Sequence, residues 1–132
     1  MSNLQAWKYV FLVKAAINWV ESVALLLGDS AIRQWLNLKP LANPEYLQLF
    51  LALVFMIGIA YWWVGQDISR NHGIIKFGIY AQTSVFVVLA YQTAIGSVHP
   101  IYLIPGIIDL TFAILFSVFL YSYARKEPAV ER

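Results

Sequence analysis

The chain has no cysteine, which excludes disulfides, thiolate metal sites and thiol redox chemistry and leaves the redox compartment unmarked. Charge is nearly as scarce. Asp, Glu, Lys and Arg make up 12% of the 132 residues, while 61% are hydrophobic. Soluble domains carry about 25% charged residues, so a chain this apolar lacks the polar surface to fold in water, and lipid is its expected solvent. The nine cations are scattered and the net charge is only +2. There is therefore no basic stripe for nucleic acid, which is not an expected partner. The two histidines, His72 and His99, fall in separate polar loops and read as solvated, and no His spacing fits a metal site. Walker loop, dinucleotide fingerprint, nucleophile elbow and zinc-protease motifs are all missing. Nothing in the sequence supports an enzyme, and no cofactor is expected.

What remains is long apolar runs. A spanning helix needs about 20 mostly apolar residues, and four segments meet that, over about 7–27, 44–64, 74–94 and 101–123. The expected fold is all-α, a four-transmembrane-helix bundle forming a single integral membrane domain over residues 1–132. The first run resembles a secretory leader in position, but Lys14, Asn18 and Glu21 interrupt it and no small-residue cleavage site follows, so it reads as a retained helix. Gly28-Asp29 is expected to end it. Asn43, Pro44 and Glu45 mark the start of the second helix as cap, first-turn proline and dipole partner. Gly96 closes the third, and Pro105-Gly106 lies near the start of the fourth.

The connections set the topology. Residues 28–43 form the longest, and Ser30 to Leu36 is expected as a short interfacial helix, with Ile32 and Trp35 toward the acyl chains and Arg33 toward water. Asp67, in the second loop, reads as a turn or cap residue. With both termini cytoplasmic, the inner side holds Lys8, Arg70, Lys76, Arg125, Lys126 and Arg132, and the outer side only Arg33 and Lys39. The positive-inside bias favours that orientation. A bacterial inner membrane is the simplest location, with the lipid bilayer as partner and a homodimer or larger membrane complex as the expected association.

Polar residues within the spans are the candidate site. Lys14, Asn18 and Glu21 at i, i+4 and i+7 share about a 60° arc of the first helix. A charge near the bilayer centre costs about 2.5–3.5 kcal/mol on insertion scales, so this stripe should face protein or water. The fourth helix offers Asp109 on a face with Gly106 and Ala113, and the third offers Gln82 with Gly78. By helix rise, Glu21 and Asp109 lie about 9 and 12 Å from the outer helix ends, and Lys14 and Gln82 about 20 and 18 Å. Lys14, Asn18, Glu21, Gln82 and Asp109 are accordingly read as a ligand or proton site, with interhelical hydrogen bonding as the structural alternative. Trp19 reads as packing.

Gly58-Ile59-Ala60-Tyr61-Trp62, Asp67, Asn71 and Gly78, with Asp109-Leu110-Thr111-Phe112-Ala113 and Phe116, resemble small four-helix bacterial inner-membrane proteins of uncharacterised function over about residues 45–123. Four spans and short length are also similar to DoxX-like proteins. Glu21 in the first helix resembles the membrane-embedded Glu of the small multidrug resistance transporters, although Lys14, the long first loop and Asp109 depart from that pattern. Three functions follow as expectations. The first is a binding or accessory bundle for a lipid or hydrophobic small molecule, or a complex subunit. The second is a proton-coupled transporter acting as a dimer through Glu21 and Asp109. The third is a membrane enzyme on lipid or isoprenoid substrates. The first is favoured, because no transport or catalytic signature accompanies the spans.

Overall fold

Apolar runs of this length have one economical solution in lipid, the α-helix, which satisfies its own backbone. The computed structural model describes residues 3–126 and is all-helical there. It comprises α1 (Asn3–Trp35), α2 (Pro44–Gln66), α3 (His72–Ala94) and α4 (Leu103–Lys126), with a 3₁₀ turn at Pro100–Tyr102 leading into α4. Each of the four helices is long and apolar enough to cross a membrane, as in a multi-pass membrane protein. Met1 and Arg132, on which the expected orientation partly rests, lie outside the described residues, as do the side chains of Arg125 and Lys126.

The chain divides after Asp67 into two compact units, each an antiparallel helical hairpin. In the first, α2 returns along α1 at close range because two glycines let it. A Cβ on Gly58 would lie 2.8 Å from Trp19 Nε1 and 3.1 Å from Asn18 Cβ, and one on Gly65 would overlap the end of Leu12. Phe11, Ala15, Leu51, Tyr61 and Val64 are its buried apolar residues. In the second hairpin Gly106 sits against Leu89, and Ile68, Ile75, Ala113, Phe116 and Phe119 are buried. Large apolar side chains such as Val20, Leu27, Leu53, Val88 and Ile114 stay exposed, as surfaces meant for acyl chains do.

Three boundaries differ from expectation, each for a visible reason. The short separate helix expected at Ser30–Leu36 is not separate: α1 runs unbroken through Gly28 to Trp35. Gly28 is not in the left-handed region, and the Arg33 Nε–H donates to Asp29 Oδ2 at 2.9 Å. This i, i+4 pair supports the turn that follows the glycine. The helix stops instead at Asn37, with φ 57°. There Leu38 N–H donates to the Arg33 carbonyl at 2.8 Å and Asn37 N–H to that of Gln34 at 3.2 Å, a left-handed C-terminal cap in which asparagine replaces the usual glycine. Gly96, with φ 79°, ends α3 in the same way, through Ser97 N–H to the Gln92 carbonyl. Asn43 occupies the position before Pro44 but makes no side-chain cap bond.

His72 is not a loop residue. It opens α3, donates from Nε2 to the Ile68 carbonyl at 3.0 Å, and meets Phe119 and Tyr123 edge-on at 6.0 and 4.7 Å between ring centroids. His99 caps the 3₁₀ turn by accepting the Ile101 N–H at Nδ1.

The glycines make a graded prediction. A Cβ at Gly28 would meet nothing within 4 Å, so Gly28→Ala is expected to stabilise by about 0.5–1 kcal/mol. Gly58→Ala forces a rigid indole and an anchored Cβ aside, and should cost about 1–3 kcal/mol. Gly65→Ala should fall between them, since the end of Leu12 can turn away. Thermal unfolding in mild detergent, followed by helical circular dichroism, checks the order. A Gly58→Ala protein as stable as the wild type contradicts the close α1–α2 packing.

Candidate functional site

Residues of α1 that are withdrawn from the surface fall on one stripe: Phe11, Lys14, Ala15, Asn18, Ser22 and Asp29. Four of the six are polar. Lys14 is 1% exposed and Asn18 5%, as the insertion cost of polar groups requires. Glu21 lies beside the stripe and is half-buried. Lys14, Asn18 and Glu21 thus belong to the first hairpin, and Gln82 and Asp109 to the second. Gln82 is buried on α3, and Asp109 is half-buried on α4.

The two amides bond to backbone carbonyls. Asn18 Nδ2 donates to the Val54 carbonyl at 3.1 Å, a hydrogen bond between α1 and α2. Gln82 Nε2 donates to the Gly78 carbonyl of its own helix at 3.1 Å. Gln82 Oε1, Trp19 Nε1 and Thr93 Oγ1 are buried with no hydrogen-bond partner among the described residues. Trp19 covers Gly58 and leans on Phe55 at 6.2 Å between centroids, which makes it a packing residue. Among the described residues no three His, Asp or Glu side chains are grouped to hold a metal ion.

A cleft at one end of the first hairpin was not expected from the sequence. It has a volume of about 610 Å³ and is enclosed by the last turns of α1, the connection to α2, and the first two turns of α2. Its apolar wall includes Leu25, Leu47 and Leu51, and its polar wall includes Asp29, Arg33 and Gln48. The charged pair is built in: Asp29 is 6% exposed, and it holds Arg33 through the 2.9 Å bond. Arg33 Nη1 also points to the Lys39 carbonyl at 3.5 Å. Clefts of about 300–1,000 Å³ with a mostly apolar lining and a few fixed polar groups are the usual form of small-molecule sites.

Asp29 and Arg33 were readable as an i, i+4 pair, but a helix expected to end at Gly28-Asp29 leaves Asp29 at the break and Arg33 in a separate short helix, where that spacing has no meaning. Leu47 and Leu51 carried no signal, because on a spanning helix any leucine passes for lipid-facing.

The chain matches no protein-family model, no curated protein and no solved structure. Geometry therefore has to support any function assigned to it.

The two amides should respond differently to loss. Asn18→Leu removes a bond between helices and is expected to cost about 0.6 kcal/mol, at most about 1.7. Gln82→Leu removes a bond within one helix and also a buried oxygen without a partner, so it should cost less or stabilise. Unfolding midpoints of the two variants in one detergent decide this. The reverse order would show that Gln82, not Asn18, ties elements together.

Proposed function

We propose that this chain is an integral membrane protein that binds a lipid or hydrophobic small molecule in the first hairpin, either alone or as the accessory subunit of a larger membrane complex. The supporting observation is the cleft of about 610 Å³ whose lining combines leucines with a fixed Asp29–Arg33 pair. A molecule that is apolar at one end and polar at the other matches that lining.

On this reading the four helices form one bundle with both termini cytoplasmic, in a bacterial inner membrane, and the cleft opens at the outer face. The positive-inside bias supports that orientation. The length of α1 supports the placement, since 33 residues reach about 50 Å against a hydrocarbon thickness of about 30 Å. The final turns therefore stand at the interface, where the exposed Trp35 anchors them. Lys14 and Glu21 then serve as polar groups of the first hairpin, and Gln82 and Asp109 as polar groups of the second. Kinship with the small four-helix bacterial inner-membrane proteins belongs to the same proposal.

Mild-detergent extraction followed by mass spectrometry of whatever co-purifies tests the binding role. One hydrophobic molecule per chain is expected. Leu47→Trp, which fills the cleft from α2, should lower its occupancy at least tenfold with the melting temperature held within a few degrees. A wild-type protein that purifies with nothing bound, and takes up nothing from an added lipid extract, refutes the proposal.

A further inference from the structure

The cleft has a direction. Leu25 and Arg33 both line it and are eight residues apart on one helix, about 12 Å along the axis. Leu47 and Leu51 continue the leucine wall on α2, and Pro44, the first residue of α2, lines the opposite end near Asp29 and Arg33. Along α1 the lining changes from Leu25 and Leu26 to Asp29, Ser30, Arg33 and Gln34 within little more than two helical turns, while the connection and α2 add apolar groups and Gln48. That is the profile of a bilayer lipid between its upper acyl chain and its head group.

Arg33 fits the polar end of such a molecule. A guanidinium offers five N–H donors in a rigid fork suited to phosphate oxygens. Here the fork is held in place: Nε is tied back to Asp29, and Nη1 reaches toward the Lys39 carbonyl. Asp29 lies beneath, 9% exposed at its side chain against 22% for Arg33. The acid therefore orients the arginine, and the arginine is the part a ligand can meet. Lys39, whose carbonyl meets Arg33, is exposed in the same connection.

We infer that the cleft holds a glycerophospholipid, with its phosphodiester on Arg33 and an acyl chain along Leu25, Leu47 and Leu51. This rests on the proposed binding role and gives its ligand a chemical class. Arg33 is the binding residue, and Asp29 is a positioning residue.

Three probes separate the parts. Delipidated protein in an uncharged detergent is titrated with dioctanoyl phosphatidylcholine, with dioctanoylglycerol, which lacks the phosphate, and with glycerophosphocholine, which lacks the chains. Bound copies are counted by native mass spectrometry. The wild type should bind the phospholipid at least tenfold more tightly than the diacylglycerol, and the chain-free head group not measurably. Arg33→Gln should abolish the tenfold preference while leaving diacylglycerol binding intact. Arg33→Lys, which keeps charge but not the fork, should retain part of it. Because Arg33→Gln leaves Asp29 without its arginine, the double variant Asp29→Asn with Arg33→Gln serves as the folded comparison and should behave as the single one does.

Equal binding of both lipids by the wild type overturns the phosphate assignment while the hydrophobic cleft stands. A preference that survives in both Arg33→Gln proteins also overturns it. Binding of glycerophosphocholine as tight as the lipid's would show a site for soluble phosphates instead. If neither lipid binds, the binding role itself falls.

Discussion

Hydrocarbon offers a protein no hydrogen bonds, and the design of this chain follows from that single constraint. A polar group inside the spans must find its partner within the protein or lose several kcal/mol. The cheapest partner is the carbonyl one turn back on the same helix. Thr83, Ser84, Thr111 and Ser117 all take it, at 2.7–2.9 Å, and Gln82 does the same with its amide. Hydroxyls satisfied in this way hold nothing together. In the second hairpin, Gly106 sits against Leu89 and the rings of His72, Phe119 and Tyr123 cluster at the other end. In the first hairpin Asn18 bonds to the Val54 carbonyl, next to the Gly58 notch that admits Trp19.

The four spans could be read from the sequence because hydropathy over 20 residues integrates many weak preferences. So could the burial of Lys14 and Asn18, since the cost of charge in lipid leaves Lys14 nowhere else to go, whereas Glu21 falls beside the buried stripe. Gly96 was legible as a terminator because glycine reaches the left-handed conformation without strain. Helix ends decided by competition were not. Gly28 looked like a stop, but a glycine alone costs a helix only about 1 kcal/mol against alanine, and the Asp29–Arg33 pair holds the turn that follows it. Asn37 looked like nothing, although asparagine is the second residue able to hold that cap. His72 was misplaced for a related reason: its ring partners are 47 and 51 residues away in sequence, and no local pattern encodes them.

That one displaced boundary creates the cleft. Had α1 ended at Gly28, the hairpin would close level with the start of α2, and Asp29 and Arg33 would lie in a solvated loop. Because α1 continues for nearly two more turns, the chain must come back down to reach Pro44, and residues 36–43 span the gap. Pro40 and Leu41 from this descending stretch, facing Leu25 and Leu26 on α1, wall in a space that two straight helices with a tight turn would not leave.

Charge and access then separate along α1. Lys14, at 1% exposure, is enclosed, and its charge is committed to the surroundings that shelter it. A ligand approaching through lipid cannot reach it without opening the hairpin. Asp29 and Arg33 cancel each other locally, and such an i, i+4 pair carries less of the burial cost that a lone charge carries. The pair needs no further shelter, so its cation can stay in contact with an open volume. On one helix, the charge that is hardest to bury is the least able to meet a ligand, and the pair that is easiest to place is the one that faces a cavity.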